Sequence, residues 1–331
     1  MKLARIVAIT LLLSGATVAL AGIWFRYAIY GDQRLPVAQV DVIVPRGDDF
    51  RQIAGLLRER GVIDDVPAFL ILARLRHADS DVHAGGYRFP AHMSESDVLE
   101  ALRTGGAQVA VWVTVPEGFT AHQIAQRLSE ARLGSADSFE RYFLHHSIVV
   151  GGTRTANLEG FLFPSTYLMP LGATPEQIAK VMTDEFAREL PRDAGQRARK
   201  VHLSVPAVVT LASLIEREAK ADGERPLMAG VYYNRLRIGM PLEVDATIEY
   251  VFPEHKSEIT RADLQIDSPY NTYLHTGLPP TPIANPGRPS LWAAFHPQAS
   301  AYLYYVYKGN GHHAFARTLQ EHNANVERYL R

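Results

Sequence analysis

Two glutamates stand two positions apart in the mostly apolar segment Leu211-Ala-Ser-Leu-Ile-Glu-Arg-Glu-Ala-Lys220. Its leucines and isoleucine recur at helical spacing, which predicts a helix with this stripe turned inward. Residues two apart on a helix do not face the same way, so Glu216 and Glu218 are expected to have different surroundings. A carboxyl group held against the protein body near a cleft has a raised pKa and can act as a general acid near neutral pH. The alternative is an ordinary exposed pair, with Glu216 bridging to Lys220.

The composition excludes several other kinds of chemistry. The 331 residues include no cysteine, which excludes disulfides, thiolate zinc sites and cysteine nucleophiles. The net charge of -1 gives no electrostatic argument for a nucleic-acid partner. The pairs His145-His146 and His312-His313 are adjacent in sequence, whereas helical metal ligands are commonly four residues apart, so no metal site is expected.

The first thirty residues predict a membrane anchor. Lys2 and Arg5 precede an uncharged, mostly apolar run from Ile6 to Phe25, which is long enough to span a bilayer as a helix. Aromatic residues cluster at its far end, and the basic start favours a cytoplasmic N-terminus. A cleaved signal peptide is the alternative, because Ala19-Leu-Ala-Gly22 resembles a small-residue cleavage site. Under either interpretation the rest of the chain is exported.

A strand, a Pro-x-Gly turn and an amphipathic helix are predicted twice in the N-terminal half. Val113-Thr-Val-Pro-Glu-Gly118 repeats the pattern of Val42-Ile-Val-Pro-Arg-Gly47, and Gln123-Ile-Ala125 repeats Gln52-Ile-Ala54, both at an offset of 71 residues. This internal repeat predicts two related small α+β units. Neither unit contains a convergent set of ionisable groups, so we expect binding or scaffolding there and no catalysis.

Other predicted elements surround the glutamate helix. A charged connection from Pro191 to Lys200 is expected to precede it at a domain boundary, and a helix from Arg225 to Arg237 is expected to follow it. Gly277 to Gly287 is too rich in proline for regular structure and is expected to form a fixed irregular loop. Alternation from Tyr302 to Tyr307, a glycine turn and the segment His313 to Ala316 predict a β-hairpin.

Several long segments, in order, resemble the endolytic murein transglycosylases of the YceG/MltG family. The N-terminal Ala84-Gly-Gly-Tyr-Arg-Phe89 resembles the LysM-like region of that family. The resemblance is densest from about residue 205 to residue 330. It is carried there by Ile215-Glu-Arg-Glu218, Tyr233-Asn-Arg-Leu-Arg-Ile-Gly-Met240, Ser268-Pro-Tyr-Asn-Thr-Tyr273, Gly277-Leu-Pro-Pro-Thr-Pro-Ile-Ala-Asn-Pro-Gly287 and Gly311-His-His-Ala-Phe-Ala-Arg-Thr-Leu-Gln-Glu-His-Asn323.

The resemblance implies a lyase that cleaves within nascent glycan strands of peptidoglycan. It would cut between N-acetylmuramic acid and N-acetylglucosamine, leave 1,6-anhydro ends and so terminate glycan polymerisation, with no cofactor and no metal. The catalytic glutamate maps to Glu218, used first as acid and then as base, and Glu216 is assigned a structural role. One departure is Ala246, which follows Asp245 where proline is common in the family. This departure concerns the local turn and not the chemistry.

Five further residues are candidates for substrate binding. Asn234, Tyr270, Asn271 and Tyr273 are expected either to line a sugar groove through hydrogen bonds and stacking or only to fix their loops. Asp245 is expected either to orient the groove or to accept backbone donors as a turn residue.

With the resemblance, the predicted fold class is α+β, with an N-terminal transmembrane helix, LysM-like small α+β units and a C-terminal α+β lytic transglycosylase domain. The expected partners are peptidoglycan glycan strands, the inner membrane through a single-pass anchor, and peptidoglycan synthases, with no nucleic acid. The catalytic body is expected on the extracytoplasmic side. The predicted domains are an anchor at 1–30, a LysM-like domain at 31–110, a second α+β unit or connecting region at 111–200 and a catalytic domain at 201–331.

Two rival functions remain open at this point. One is a non-catalytic cell-wall binding or scaffolding protein, in which the LysM-like units act alone. The other is a muramidase hydrolase, which normally needs a second carboxylate, with Glu216, Glu243 and Asp245 as the candidates. A hydrolase would leave reducing muramic acid ends, whereas a lytic transglycosylase leaves anhydro ends.

Overall fold

The structure is a computed structural model and describes residues 2–30, 39–45, 47–79, 81–90, 93–106, 109–252, 256 and 258–330. The predicted boundary after residue 30 adjoins a segment outside these residues. The chain separates into two compact units. We call residues 1–112 with 168–173 the N-terminal unit, and residues 113–167 with 174–331 the C-terminal unit. Helices and strands are mixed throughout the described residues, which confirms the α+β class.

The elements follow one another in a simple order. The first half contains α1 (Lys2–Tyr30), β1 (Gln39–Val44), α2 (Phe50–Glu59), α3 (Val66–Leu75), β2 (Gly85–Pro90), α4 (Glu95–Thr104), β3 (Ala110–Thr114), α5 (Ala121–Glu130), α6 (Ala136–His145), β4 (Val149–Val150), β5 (Thr153–Arg154) and β6 (Thr166–Pro170). The second half contains α7 (Pro175–Glu189), α8 (Ala194–Lys200), α9 (Val205–Glu218), α10 (Arg225–Arg237), α11 (Asp245–Glu249), α12 (Arg288–Phe295), β7 (Tyr304–Gly309), β8 (His312–Ala316) and α13 (Leu319–Tyr329).

The N-terminal unit is built around an antiparallel pair of strands. β1 pairs with β2, with Val42 opposite Tyr87, and α2 and α3 connect the two strands. Val42, Leu57, Phe69 and Tyr87 are among the side chains buried between strands and helices. The unit therefore has the order β-α-α-β, to which α4 is added.

Helix α1 covers the apolar N-terminal run and ends against this unit. Ile29, near its end, is fully buried in the core of the unit. Nearer to the N-terminal end of α1, the side chains of Leu13, Val18 and Ile23 are each more than half exposed. Within the described residues, no helix taken alone has the length and apolar composition of a membrane span. The bent pair α8 and α9, which turns by 85°, meets that test only when taken together.

The strand, glycine turn and helix predicted twice are both present in the structure. Helices α2 and α5 begin 71 residues apart, at Phe50 and Ala121. Each begins with a capping box, in which the residue before the helix and a glutamine three positions on exchange side-chain and backbone hydrogen bonds. The turn before each helix contains a glycine in the left-handed region, Gly47 at φ 89° and Gly118 at φ 78°. A side chain at either position would be strained, which explains why the Pro-x-Gly pattern recurs.

The C-terminal unit is built around α9, which packs against α8, α10, α11 and α12. The proline-rich loop from Gly277 to Gly287 contains no helix or strand, as predicted, and β7 and β8 form the predicted antiparallel hairpin. The prediction of a charged connection from Pro191 to Lys200 is wrong in part, because Ala194 to Lys200 is helical. Ala194 and Ala198, four residues apart, are buried and give this short basic helix an inner face.

Candidate active site

Helix α9 carries both glutamates and is the most buried helix of its unit. It begins at Val205, where the hydroxyl oxygen of Ser204 accepts a hydrogen bond from the N–H of Ala207. Leu211, Leu214 and Ile215 are fully buried, which confirms the predicted inward stripe. The helix begins at Val205, before the predicted apolar segment that starts at Leu211, and ends at Glu218, so Lys220 lies beyond it.

Glu216 holds α9 to the start of α12. Its Oε2 accepts a hydrogen bond from the backbone N–H of Gly287 at 2.9 Å, and its Oε1 lies 3.7 Å from Nη1 of the buried Arg225. Arg225 also donates to the Ser290 hydroxyl at 2.7 Å. The Glu216 side chain is only 6% exposed. The alternative of an exposed pair with Lys220 is therefore wrong for this residue, whose contacts are structural.

Glu218 is the last residue of α9 and faces a different set of groups. The Tyr305 hydroxyl in β7 donates to Glu218 Oε2 at 3.1 Å, and the hydroxyl oxygens of Tyr305 and Tyr232 are 2.8 Å apart. Burial raises the pKa of the Glu218 carboxyl, the Tyr305 hydrogen bond lowers this pKa, and the charge of Asp245 raises it. The end of a helix carries a partial negative charge, which also disfavours a carboxylate. Such a carboxyl holds its proton to a higher pH than an ordinary glutamate, which suits a general acid.

Asp245 and Tyr273 lie close to Glu218. Asp245 is the first residue of α11 and accepts a hydrogen bond from the Tyr273 hydroxyl on Oδ1. Burial and the hydrogen bond to Asp245 raise the pKa of Tyr273 far above its ordinary value, so its hydroxyl remains a donor at neutral pH. Glu243, another candidate second carboxylate, instead pairs with Arg235 at 2.9 Å. Of the three candidates, Asp245 is the one whose charge acts on Glu218.

Asn234, Asn271 and Tyr270 hold loops in place. The amide of Asn234 donates to two carbonyls of the segment 300–302, at 2.9 and 3.0 Å. Asn271 is fully buried, and its amide donates to two carbonyls of the segment 264–266, at 3.0 and 2.8 Å. The Tyr270 hydroxyl lies 2.8 Å from a threonine hydroxyl of the proline-rich loop. These contacts are those of the loop-fixing alternative.

A cavity of about 650 Å³ lies within the C-terminal unit, with chain neighbours of this site in its wall. Its wall includes Arg217 and Ala246, the chain neighbours of Glu218 and Asp245, and the buried Glu159. The backbone N–H at the start of α5 lies 3.0 Å from both carboxylate oxygens of Glu159. Burial outweighs these hydrogen bonds and raises the pKa of Glu159 to about 7. A second carboxyl group with an altered pKa thus lies in the wall of this cavity.

The sequence prediction missed Tyr305 and Glu159. Tyr305 was expected only as a strand residue, and nothing local to β7 indicates that its hydroxyl reaches Glu218. Glu159 is the single charged residue between Leu158 and Tyr167, a segment rich in aromatic residues. A lone carboxyl group in such a segment was the available signal, because charged groups are seldom buried without a specific reason.

Comparison with known proteins gives this arrangement a family context. The sequence profile of the YceG-like family matches residues 42–328. The chain is 35% identical over 307 residues to an endolytic murein transglycosylase of Bacillus subtilis (strain 168), which covers 88% of this chain and 85% of that protein. It is 29% identical over 347 residues to an endolytic murein transglycosylase of Streptococcus pneumoniae (strain ATCC BAA-255 / R6), which covers 94% of this chain and 63% of that protein.

A solved structure is similar along nearly the whole chain. It is the crystal structure of a putative YceG-like protein from Listeria monocytogenes, which is 31% identical to this chain. The match has a TM-score of 0.57 and covers 87% of this chain and 98% of the other.

Proposed function

The chain belongs to the YceG-like family, and on that premise we propose that Glu218 is the single acid and base of its reaction. Its relatives in Bacillus subtilis and Streptococcus pneumoniae are endolytic murein transglycosylases. This chain is likewise a peptidoglycan lytic transglycosylase, which makes it a lyase acting on glycan strands. The proposal concerns which side chains act as acid and base, which line the substrate groove and which support the loops.

The proposed reaction needs one carboxyl group that acts twice. Protonated Glu218 gives its proton to the glycosidic oxygen while the bond from that oxygen to muramoyl C1 breaks, so N-acetylglucosamine leaves as an alcohol and C1 becomes oxocarbenium-like. The carboxylate then takes the proton of the muramoyl C6 hydroxyl, whose oxygen bonds to C1 and closes the 1,6-anhydro ring. Glu218 ends the cycle protonated, and no water is consumed.

The position of Glu218 is the observation that carries this proposal. It stands at the end of the central helix, where burial raises the pKa of its carboxyl and a tyrosine hydroxyl fixes its Oε2. A group that must be an acid in one step and a base in the next works best with a pKa near the ambient pH. Glu216 lacks this role because its two oxygens face Gly287 and Arg225.

We assign Asp245 and Tyr273 to the groove and the other three candidates to loop support. Asp245 is exposed and its charge already acts on Glu218, so it is placed to stabilise positive charge that develops at muramoyl C1. Tyr273 keeps Asp245 oriented through its hydroxyl. Asn234, Tyr270 and Asn271 use their polar atoms to hold the surrounding loops.

Replacement of Glu218 with glutamine tests the assignment. Glu218→Gln keeps the acceptor for the Tyr305 hydroxyl and removes the acid, so release of anhydro-ended fragments from purified glycan strands is expected to fall by about 10²-fold or more. Mass spectrometry of the product ends is the measurement. The matched control is Glu176→Gln on the exposed face of α7, which is expected to retain wild-type activity.

Two results would overturn the proposal in different ways. Anhydro ends formed at an undiminished rate by Glu218→Gln would show that another group is the acid. Reducing muramic acid ends formed by the wild-type enzyme would show that water attacks C1, as in a muramidase with Asp245 as its second carboxylate. Circular dichroism of both variants separates loss of chemistry from loss of fold.

We also propose that α1 anchors the enzyme in the inner membrane with the catalytic body outside. The apolar run from Ile6 to Phe25 and the exposed apolar side chains along α1 support this proposal. The full chain is then expected to stay in the membrane fraction after alkaline carbonate extraction and to keep its first residues. A mature N-terminus near Gly22 would instead indicate a cleaved signal peptide.

We propose that the N-terminal unit is LysM-like. The predicted domain boundaries near residues 110 and 200 are part of the same proposal. The order β1-α2-α3-β2, with its antiparallel strand pair, supports it. The Glu218→Gln variant is expected to bind purified sacculi, and N-acetylglucosamine oligomers are expected to compete with that binding. Contact with peptidoglycan synthases is a further proposal, based on the resemblance alone, and crosslinking from α1 in membranes tests it.

A further inference from the structure

Five ionisable side chains line the cavity of about 650 Å³ in the C-terminal unit. Arg217 pairs with Glu249 at 2.6 Å, and His122 pairs with Glu140 at 3.0 Å. These four residues and the buried Glu159 all belong to the lining. All but Glu159 are between 20% and 45% exposed, so a ligand in the cavity can reach them.

The balance of these charges is negative. In the lining, Glu140 and Glu249 are carboxylates against one permanent cation, Arg217, and burial raises the pKa of the third carboxyl group, Glu159, to about 7. A cavity of this kind favours a ligand that carries an ammonium group, through a charge-assisted hydrogen bond to a carboxylate. It also disfavours a simple anion as the main ligand.

Such charges do not match the sugars of the substrate. N-acetylglucosamine carries no charge, and the ring and acetamido group of N-acetylmuramic acid carry none, so a sugar subsite gains little from ion pairs. The charged parts of a peptidoglycan strand are in the stem peptide that hangs from the muramoyl lactyl group. That peptide contains carboxylates and, in its diamino acid, an ammonium group.

The wall of the cavity adjoins, along the chain, the residues that place the muramoyl ring. Muramoyl C1 must lie at Glu218 for the proposed reaction, and the lactyl group leaves the same sugar ring two carbons away. Arg217 and Ala246, in the cavity wall, are the chain neighbours of Glu218 and Asp245. A volume of about 650 Å³ is within the range of ligand pockets and accommodates several amino-acid residues.

We propose that this cavity is a subsite for the stem peptide of the muramoyl residue that is cleaved, with Glu140 and Glu249 receiving the ammonium group of the diamino acid. The proposal rests on the assignment of Glu218, because that assignment places the muramoyl ring. It makes the enzyme sensitive to the state of the stem and not only to the glycan. Stems whose diamino acid is free would be preferred to stems whose amino group is blocked by a crosslink.

The test compares two forms of one substrate. Uncrosslinked glycan strands with free diamino groups are divided, and one half is acetylated on those amino groups. The ratio of kcat/KM for free over acetylated strands is expected to be about tenfold in the wild-type enzyme, the size of one charge-assisted hydrogen bond. The ratio is expected to fall towards one in Glu140→Gln and in Glu249→Gln.

The two variants and one control separate binding from folding. Glu249 contacts Arg217, the chain neighbour of Glu218, so Glu249→Gln alone could act through the catalytic helix. Glu140 is on α6, a different element. The same fall in the ratio for both variants therefore indicates loss of ammonium binding. Glu176→Gln, whose side chain is exposed on α7, is expected to keep the wild-type ratio. A wild-type ratio of one would overturn the proposal. So would variants that lower both rates equally and leave the ratio unchanged.

Failure of the catalytic assignment gives a different result. Strands stripped of their stems by an amidase report the chemistry without the peptide. If Glu218→Gln cleaves those strands to anhydro ends as the wild-type enzyme does, Glu218 is not the acid, whatever the ratio for stem-bearing strands. If Glu218→Gln is inactive and the wild-type ratio is one, only the peptide subsite is refuted.

Discussion

Replacement of Glu159 with glutamine is expected to remove a pH dependence from the stability of the C-terminal unit. Glu159 is 1% exposed and holds three segments together. Its oxygens accept hydrogen bonds from the Ala121 N–H at 3.0 Å, the Asn285 amide at 2.9 Å and the Tyr250 hydroxyl at 3.2 Å. Burial outweighs these donors and raises the pKa of the carboxyl from 4.5 to about 7.

The sign of the effect follows from that shift. The folded chain holds the proton more tightly than the unfolded chain, so the contribution of Glu159 to stability is fully present below about pH 4.5. It is lost as the pH rises towards about 7, where the folded group also ionises. The shift corresponds to a loss of about 3 kcal/mol in the free energy of unfolding across this range.

Glutamine is a suitable replacement because it has nearly the same shape and no charge. Its oxygen can accept from Ala121 and Asn285, and its NH₂ group can donate to the Tyr250 hydroxyl oxygen. Urea unfolding followed by circular dichroism, at steps between pH 4.5 and 8, is the assay. Because the other ionisable groups are shared, the difference between Glu159→Gln and wild type isolates this carboxyl. The difference is expected to grow by about 3 kcal/mol in favour of the variant as the pH rises.

Two outcomes would refute this reasoning. Parallel stability curves for Glu159→Gln and wild type would show that the pKa of Glu159 is the same in the folded and unfolded chain. If the free energy of unfolding of the wild type instead rises relative to that of the variant as the pH rises, the three hydrogen-bond donors and the N-terminal end of α5 outweigh burial. The carboxylate would then be the stable form.

Local sequence pattern was sufficient for most of the elements. The inward stripe of α9 and the turn and helix repeated at 71 residues depend on neighbours within one or two turns. The alternation in β7 and the glycines after it predicted the hairpin for the same reason. Helix α8 was missed because its basic residues obscure a two-alanine inner face.

The contacts that define the site could not be predicted in this way. Glu216 meets Gly287 across 71 residues of chain, and Tyr305 meets Glu218 across 87. Both partners lie in segments whose local pattern fixes their own shape and says nothing about where they pack. The same holds for Glu159, which meets an asparagine of the proline-rich loop across 126 residues. The resemblance indicated Glu218, but the surroundings that alter its pKa appear only in the structure.

The alkaline limb of the pH profile of kcat/KM reports the pKa of the acid in the free enzyme. Two substitutions near Glu218 are expected to move this limb in opposite directions. Tyr305→Phe removes a hydrogen bond that lowers the pKa of Glu218, so the limb moves to higher pH, and the unpaired Tyr232 hydroxyl costs about 1–3 kcal/mol of stability. Asp245→Asn removes a charge that raises the same pKa, so its limb moves to lower pH. Its maximal rate is also expected to fall, because positive charge at C1 loses a partner. Limbs that move together, or not at all, would mean that the titrating acid is not Glu218.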